Sequence, residues 1–345
     1  MIWLTWRQFR AQIIWGAAAV AALAGVLAYI RPGLIHLYDT NGIATCGVNT
    51  TCPALVTRFL DEVSGIRRIL YFLGIGLVFA VPAIIGVFWG APLIARELDT
   101  HTYKLAWNQS VTRARWLTVK LAVTGLAAMA TAGLLSLTVT WYSGPIDQAL
   151  TLNPRHGLSL TRLGPILFDT RGITPIAYAA FGFALGVAAG ALIRHAIPAM
   201  AATLTGFAIV QIAMADLIRQ HLVAPVHTIV ALNTANIDGI GQAANNGMLV
   251  KATPSFSQAG AWVLSSQVAG ATGHPFHGAF TKACLGSDFT KCTASIGLLH
   301  LRQLVTYVPA GRYWTLQWRE AAIFAALTAL LSGTCFWAIS RRHVA

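Results

Sequence analysis

Six runs of mostly apolar residues leave this chain few ways to fold. They lie at about residues 11–30, 69–92, 117–142, 174–193, 197–217 and 321–339. A helix rises 1.5 Å per residue, so about 20 such residues cross a hydrocarbon core of ~30 Å. Lipid offers the backbone no hydrogen-bond partners, which leaves helices as the economical solution for runs of this length. Charged residues make up only 10% of the chain, mean hydropathy is +0.63, and a soluble domain carries about a quarter charged residues. The sequence therefore predicts an all-α integral membrane protein with six transmembrane helices.

The formal net charge of +13 would point to nucleic acid in a soluble protein. Here the charges flank apolar runs, with no recognition motif and no single basic patch, so no nucleic-acid partner is expected. The first run, preceded by Arg7 and Arg10, has the polarity of a signal peptide, but it fills a whole span and is expected to be retained. Trp3, Trp6 and Phe9 fall at near-helical spacing, so residues 1–10 read as an amphipathic N-terminal helix.

Basic residues orient the bundle. With the N-terminus in the cytoplasm, the inner segments hold Arg7, Arg10, Arg96, Lys104, Arg113, Arg115, Lys120, Arg194, Arg341 and Arg342, ten of the 24 in a short length of chain. The remainder are spread thinly over the outer segments, so both termini are placed in the cytoplasm of a multi-pass cell-membrane protein. Cysteines agree with this, since disulfides persist on the oxidising side. Cys46 and Cys52 fall in the first outer loop, and Cys284 and Cys292 in the last. Each pair is close enough for a local bridge, although four cysteines allow three connectivities. A zinc site is disfavoured because no CxxC spacing occurs. Cys335 lies within the last span and is expected only to pack.

The segment at 218–320 is too long for an unstructured connection and predicts a small extracellular domain of about 100 residues between the fifth and sixth spans. Its polar, Gly- and Ala-rich stretches at 239–247 and 265–273 read as loops, and the aromatics at 307–318 suit a membrane interface. The expected organisation is spans one to five in 1–217, with a cytoplasmic loop at 92–116, the outer domain at 218–320, and the sixth span with its tail at 321–345.

Enzymatic motifs are missing from the sequence. It has no GxxxxGK[ST] loop, no HExxH, no GxSxG and no carboxylate pair within a span. The chain has no visible means of hydrolysing ATP and is not expected to be an enzyme; no catalytic, cofactor or metal ligand is assigned. His274 and His277 lack further ligands and read as a solvated loop. Asp216 and Glu320, near the outer ends of spans five and six, read as interfacial carboxylates in contact with water. Gly182, Gly186 and Gly190 recur every four residues and form a smooth stripe for helix packing, within the monomer in preference to a dimer seam.

The loop at 96–113 is charged and amphipathic. Leu98, Thr102 and Leu105 share one helical face that suits a membrane surface or a groove on a partner; the plain alternative is a basic loop that only sets topology. Glu97, Thr102, Leu105, Val111-Thr112-Arg113 and Lys120 stand at intervals that resemble the signature of ABC-2 type transporter permeases, and the N-terminal 2–10 and the phrase 105–113 look like actinobacterial members of that family. His101 stands where the family has Gly, and Ser110 where it has Pro.

The resemblance implies a transmembrane permease subunit of an ATP-driven exporter. It implies a cytoplasmic coupling helix in which Glu97, Thr102, Leu105 and Arg113 dock on a separate ABC ATPase subunit, with re-entrant helices before the sixth span. It further implies two ATPase copies carrying ATP and Mg, a second permease copy, identical or related, and membrane lipid around them. A different class of function, a membrane-anchored receptor or accessory protein acting through its extracellular domain, is the alternative.

Overall fold

The computed structural model describes residues 2–46, 52–99, 112–152, 161–231, 237–242, 248–252, 260–270, 294, 297–298 and 300–341. Every apolar run lies in a helix, and six helical stretches are long and apolar enough to cross a membrane. In chain order the helices are α1 (Ile2–Thr40), α2 (Cys52–Glu62), α3 (Gly65–Ile85), α4 (Ala91–Asp99), α5 (Arg113–Leu152), α6 (Pro165–Phe168), α7 (Thr174–Ile193), α8 (Ala196–Ala213) and α9 (Tyr313–Arg341). A π-helical turn, Gly86–Gly90, joins α3 to α4, and a second, Met214–Ile218, continues α8 into the short 3-10 turn Arg219–His221.

Several boundaries differ from the sequence reading. The amphipathic N-terminal segment is not a separate helix but the first turns of α1, which runs unbroken for 39 residues; nothing in 2–10 breaks helical hydrogen bonding, since neither Pro nor Gly occurs there. Residues 93–95, which fall in the expected cytoplasmic loop at 92–116, are buried in the helical stretch that extends to Asp99. Beyond α1, Gly42 takes the left-handed conformation (φ 67°) that glycine adopts without a Cβ penalty. Cys46 and Cys52 are disulfide-bonded, and Asn41 Nδ2 donates to Glu62 Oε2 at 2.9 Å, so two links close the connection between α1 and α2. Cys284 and Cys292 lie outside the described residues. Cys335 is buried and unbonded, as expected of a packing residue.

The chain divides into two compact units: one of residues 1–146, 165–222 and 314–345, the other of 147–164 and 223–313. The second unit corrects the all-α expectation, and the fold is mostly helical instead. It contains a three-stranded antiparallel sheet in the order β1-β5-β4, with β1 Val226–Ala231, β4 Trp262–Ala269 and β5 Arg302–Val308, and a hairpin of β2 (Ile237–Gln242) with β3 (Met248–Ala252). Pairing runs from Val226 opposite Tyr307 to Ala231 opposite Arg302, and from Trp262 opposite Val308 to Ala269 opposite Arg302. The central strand β5 buries Gln303, Val305 and Tyr307, the alternation of a half-buried strand. Gln303 Nε2 donates to Ser266 Oγ on the neighbouring strand at 2.6 Å. Strands thus enter both stretches that composition suggested were loops, at 239–242 and 265–269.

In the helical unit, α7 is the central element. Gly182, Gly186 and Gly190 face the backbone of the stretch 82–91: a Cβ on Gly182 would lie 2.6 Å from the Pro82 carbonyl oxygen, and Cβ atoms on Gly186 and Gly190 would collide with the carbonyls of Gly86 and Ala91. The approach is mutual, since a Cβ on Gly90 would meet the Phe183 carbonyl at 2.5 Å. Two helices come this close only where small residues line both faces. On its other faces α7 packs Ala179, Phe183 and Val187 into a core with Ile94, Trp116, Leu117 and Ile339, and Tyr178 and Phe181 against Phe207 and Phe324. Gly186→Val should therefore cost about 1–3 kcal/mol, the usual range for overpacking. The thermal unfolding midpoint of the purified protein should fall by several degrees, and an unchanged midpoint would contradict the packing described.

Candidate functional site

The helical unit buries four ionisable side chains around one point. The 3-10 turn after α8 carries Arg219, whose side chain is wholly buried. Its Nε donates to Glu320 Oε2 and its Nη2 to Glu320 Oε1, both at 2.9 Å, a bidentate pair with α9. Nη2 also contacts Asp169 Oδ1, and the guanidinium lies 4.5 Å from the centre of the Phe168 ring. Tyr178 of α7 completes the group, its hydroxyl 2.9 Å from Asp169 Oδ1 and 2.5 Å from Glu320 Oε1.

Local structure explains why these residues meet. The short helix α6 turns the chain inward so that Leu167, Phe168 and Asp169 are buried. Gln317, one turn before Glu320 on α9, fixes this segment. Its Oε1 accepts from the amides of Ile173 (2.9 Å) and Thr174 (3.1 Å), and its Nε2 donates to the carbonyls of Phe168 (3.2 Å) and Arg171 (3.1 Å). The start of α7 is thus capped by a side chain from α9. Arg171, buried beside this cap, bonds Thr170 Oγ1 at 3.4 Å.

The proton count in the cluster is informative. One phenolic hydrogen cannot serve two carboxylates, whereas a protonated Asp169 could donate to the Tyr178 oxygen and leave the phenol to Glu320. Asp169 is raised to about 6, chiefly by burial and further by the charge of Glu320, against the pull of Arg219.

A second ion pair lies toward the opposite end of α7, whose axis rises ~20 Å from Tyr178 to its last residue at 1.5 Å per residue. Lys120 of α5 is buried, pairs with Glu97 near the end of α4, and lies 4.7 Å from the centre of the Trp116 ring. At the same end His195 Nδ1 lies 3.4 Å from Asp99 Oδ1, linking α4 to the turn between α7 and α8. Thr112 Oγ1 accepts from the Arg115 amide at 3.3 Å, an N-cap for α5.

Of the four residues expected to couple to a partner, Glu97 is thus engaged with Lys120. Arg113 opens α5, its side chain lying outside the described residues, as do Thr102 and Leu105 altogether. Of the two carboxylates expected to contact water, Asp216 is exposed, whereas Glu320 is fully buried because Arg219 and Tyr178 surround it. Asp169, Tyr178 and Arg219 escaped the sequence reading; the available signal was an arginine directly after an apolar run, since an ionisable group at membrane depth usually faces a partner inside the bundle.

A family model described as ABC-2 membrane transporter related matches residues 17–219, more than half of the chain. No curated protein and no solved structure matches.

Two outcomes follow from the cluster. Arg219→Leu leaves two buried carboxylates without their cation and should destabilise the protein by about 3–5 kcal/mol, read as loss of folded, monodisperse material in detergent. Because the folded value of Asp169 lies above the usual 3.8, its contribution to stability is complete below that value and is lost as pH rises through about 6. The thermal midpoint should therefore decline between about pH 5 and about pH 7, and this decline should flatten in Asp169→Asn.

Proposed function

The chain belongs to the family of ABC-2 membrane transporter related proteins, and from that premise we propose that it is the permease subunit of an ATP-driven exporter. A separate ABC ATPase, in two copies with bound ATP and Mg, supplies the energy. A second permease copy completes the pore. The Glu97 end of the bundle faces the cytoplasm with both termini, in keeping with its basic density, and the second unit lies outside.

The observation that carries this reading is the path from α4 to the buried cluster. The helix α4, which carries Glu97 in its last turn, rests its buried residues Ala91 and Ala95 on Gly186 and Gly190 of α7, and α7 begins at the Arg219 cluster. Close backbone contact lets a push on α4 move α7 as a body, because interlocked glycine faces have no side chains to yield. ATP-driven closure of the ATPases would act on the loop at Glu97, Thr102, Leu105 and Arg113, and the bundle would alternate between two arrangements of similar energy biased by nucleotide state. Residues 86–90 favour such movement, since a π-helical turn marks a place where helical register can shift.

Purification of the tagged chain in mild detergent, with mass spectrometry and an ATPase assay on what accompanies it, tests the proposal. A nucleotide-binding subunit should co-purify, and Arg113→Glu should release it without loss of the permease; Glu97→Ala should release it too, but it also strands the buried Lys120 and is compared at equal amounts of folded permease. A preparation devoid of ATPase, under conditions that preserve other ABC complexes, would overturn the reading.

A further inference from the structure

A groove of about 510 Å³ opens in the helical unit between α3, α6 and α8. This lies in the range of small-molecule sites. Its walls are apolar, with Phe79, Leu204 and Phe207 prominent, yet three oxygen-bearing side chains also line it: Asp169, Gln211 and Asp216. Gln211 is over nine-tenths buried and its Oε1 has no hydrogen-bond partner. A buried acceptor left in that state is unfavourable unless a ligand supplies a donor. Asp169 is nearly fully buried as well, and both of its hydrogen bonds among the described residues fall on Oδ1, so Oδ2 keeps lone pairs for a further donor.

We propose that this groove binds an amphiphilic amine, with its ammonium group held by Asp169 and Gln211 and its hydrocarbon part laid against Phe79, Leu204 and Phe207. Charge decides the class. Arg219 is a single cation for the two buried acids it binds, Asp169 and Glu320, so with Asp216 beside them the groove keeps an excess of negative charge; an anionic amphiphile meets like charge and a neutral one leaves that excess unanswered. Bilayer phospholipids are poor occupants for the same reason, since each would bring a phosphate toward Asp169 and Asp216. A freely diffusing amine with a hydrocarbon tail satisfies both the walls and the head-group oxygens. On the permease reading this ligand is the transported substrate, and the inference rests on that reading for its role, though not for its binding.

Binding of radiolabelled dodecylammonium to the full chain, without any ATPase, in phosphatidylcholine nanodiscs tests this, with empty discs as background. We expect saturable binding that is weakened about tenfold by Gln211→Leu, the equivalent of one hydrogen bond, and abolished by Ala208→Trp, which puts an indole into the groove at a lining position. Excess dodecyl sulfate should not compete. Neither variant replaces a residue of the Arg219 cluster, and each is first checked for an unchanged thermal midpoint. Binding unaffected by both variants, or displaced equally by dodecyl sulfate, would overturn the proposal. Because the ATPase is absent, this result stands apart from whether a nucleotide-binding subunit co-purifies.

Discussion

The buried pairing of Arg219 with Glu320 and Asp169 constrains the helical unit more than any other contact. Taking a guanidinium and two carboxylates out of water costs several kcal/mol per ion, and this is recovered only when nearly every donor and acceptor is matched. The cluster meets most of that demand with a bidentate pair, a phenol and an aromatic face, leaving Arg219 Nη1 as its one nitrogen without a hydrogen-bond partner among the described residues. The matching requires four pieces of chain at once: the end of α8, the start of α9, the first half of α7 and the segment after α6. None can leave without stranding a charge, so the ions specify how these helices are arranged even where their net contribution to stability is small. Gln317 extends the same logic to uncharged groups by serving four backbone partners around the start of α7.

Away from that cluster the bundle is held by shape. Gly182, Gly186 and Gly190 let α7 lie against the carbonyls of the 82–91 stretch at distances that no side chain permits. A helix fixed by ions at one end and by close backbone contact along its length transmits displacement instead of absorbing it. The Glu97–Lys120 pair at the other end adds α5 to the same body. Specific end contacts with a smooth, strain-intolerant middle suit α7 to the proposed role of link between the Glu97 end and the ion cluster.

Much of this could be read from the residues, and the exceptions have physical reasons. Runs of twenty apolar residues have one structural solution in lipid, so all six helices could be placed before the fold was known. The glycine stripe was visible for a similar reason, because a spacing of four on a helix defines a face. The cluster was less accessible: Asp169, Arg219 and Glu320 are separated by 50 and 101 residues, and a lone charge beside an apolar run looks like an interfacial anchor until its partner is found. Glu320 shows the difficulty, since the same position reads as wetted or as buried depending on an arginine a hundred residues away. The strands of the second unit were masked in a different way. Their runs are short, and β5 draws its stability from neighbours on both sides, so local composition underestimates it.

The central claim is that α7 connects the Glu97 end to the Arg219 cluster. Hydrogen–deuterium exchange on the assembled transporter, with and without ATP, addresses it most directly. The account predicts that nucleotide changes protection around Asp169 to Tyr178 as well as near Glu97, and that Glu97→Ala removes the distant change. A nucleotide response confined to the residues around Glu97, with the Asp169–Tyr178 segment indifferent to ATP, would contradict it.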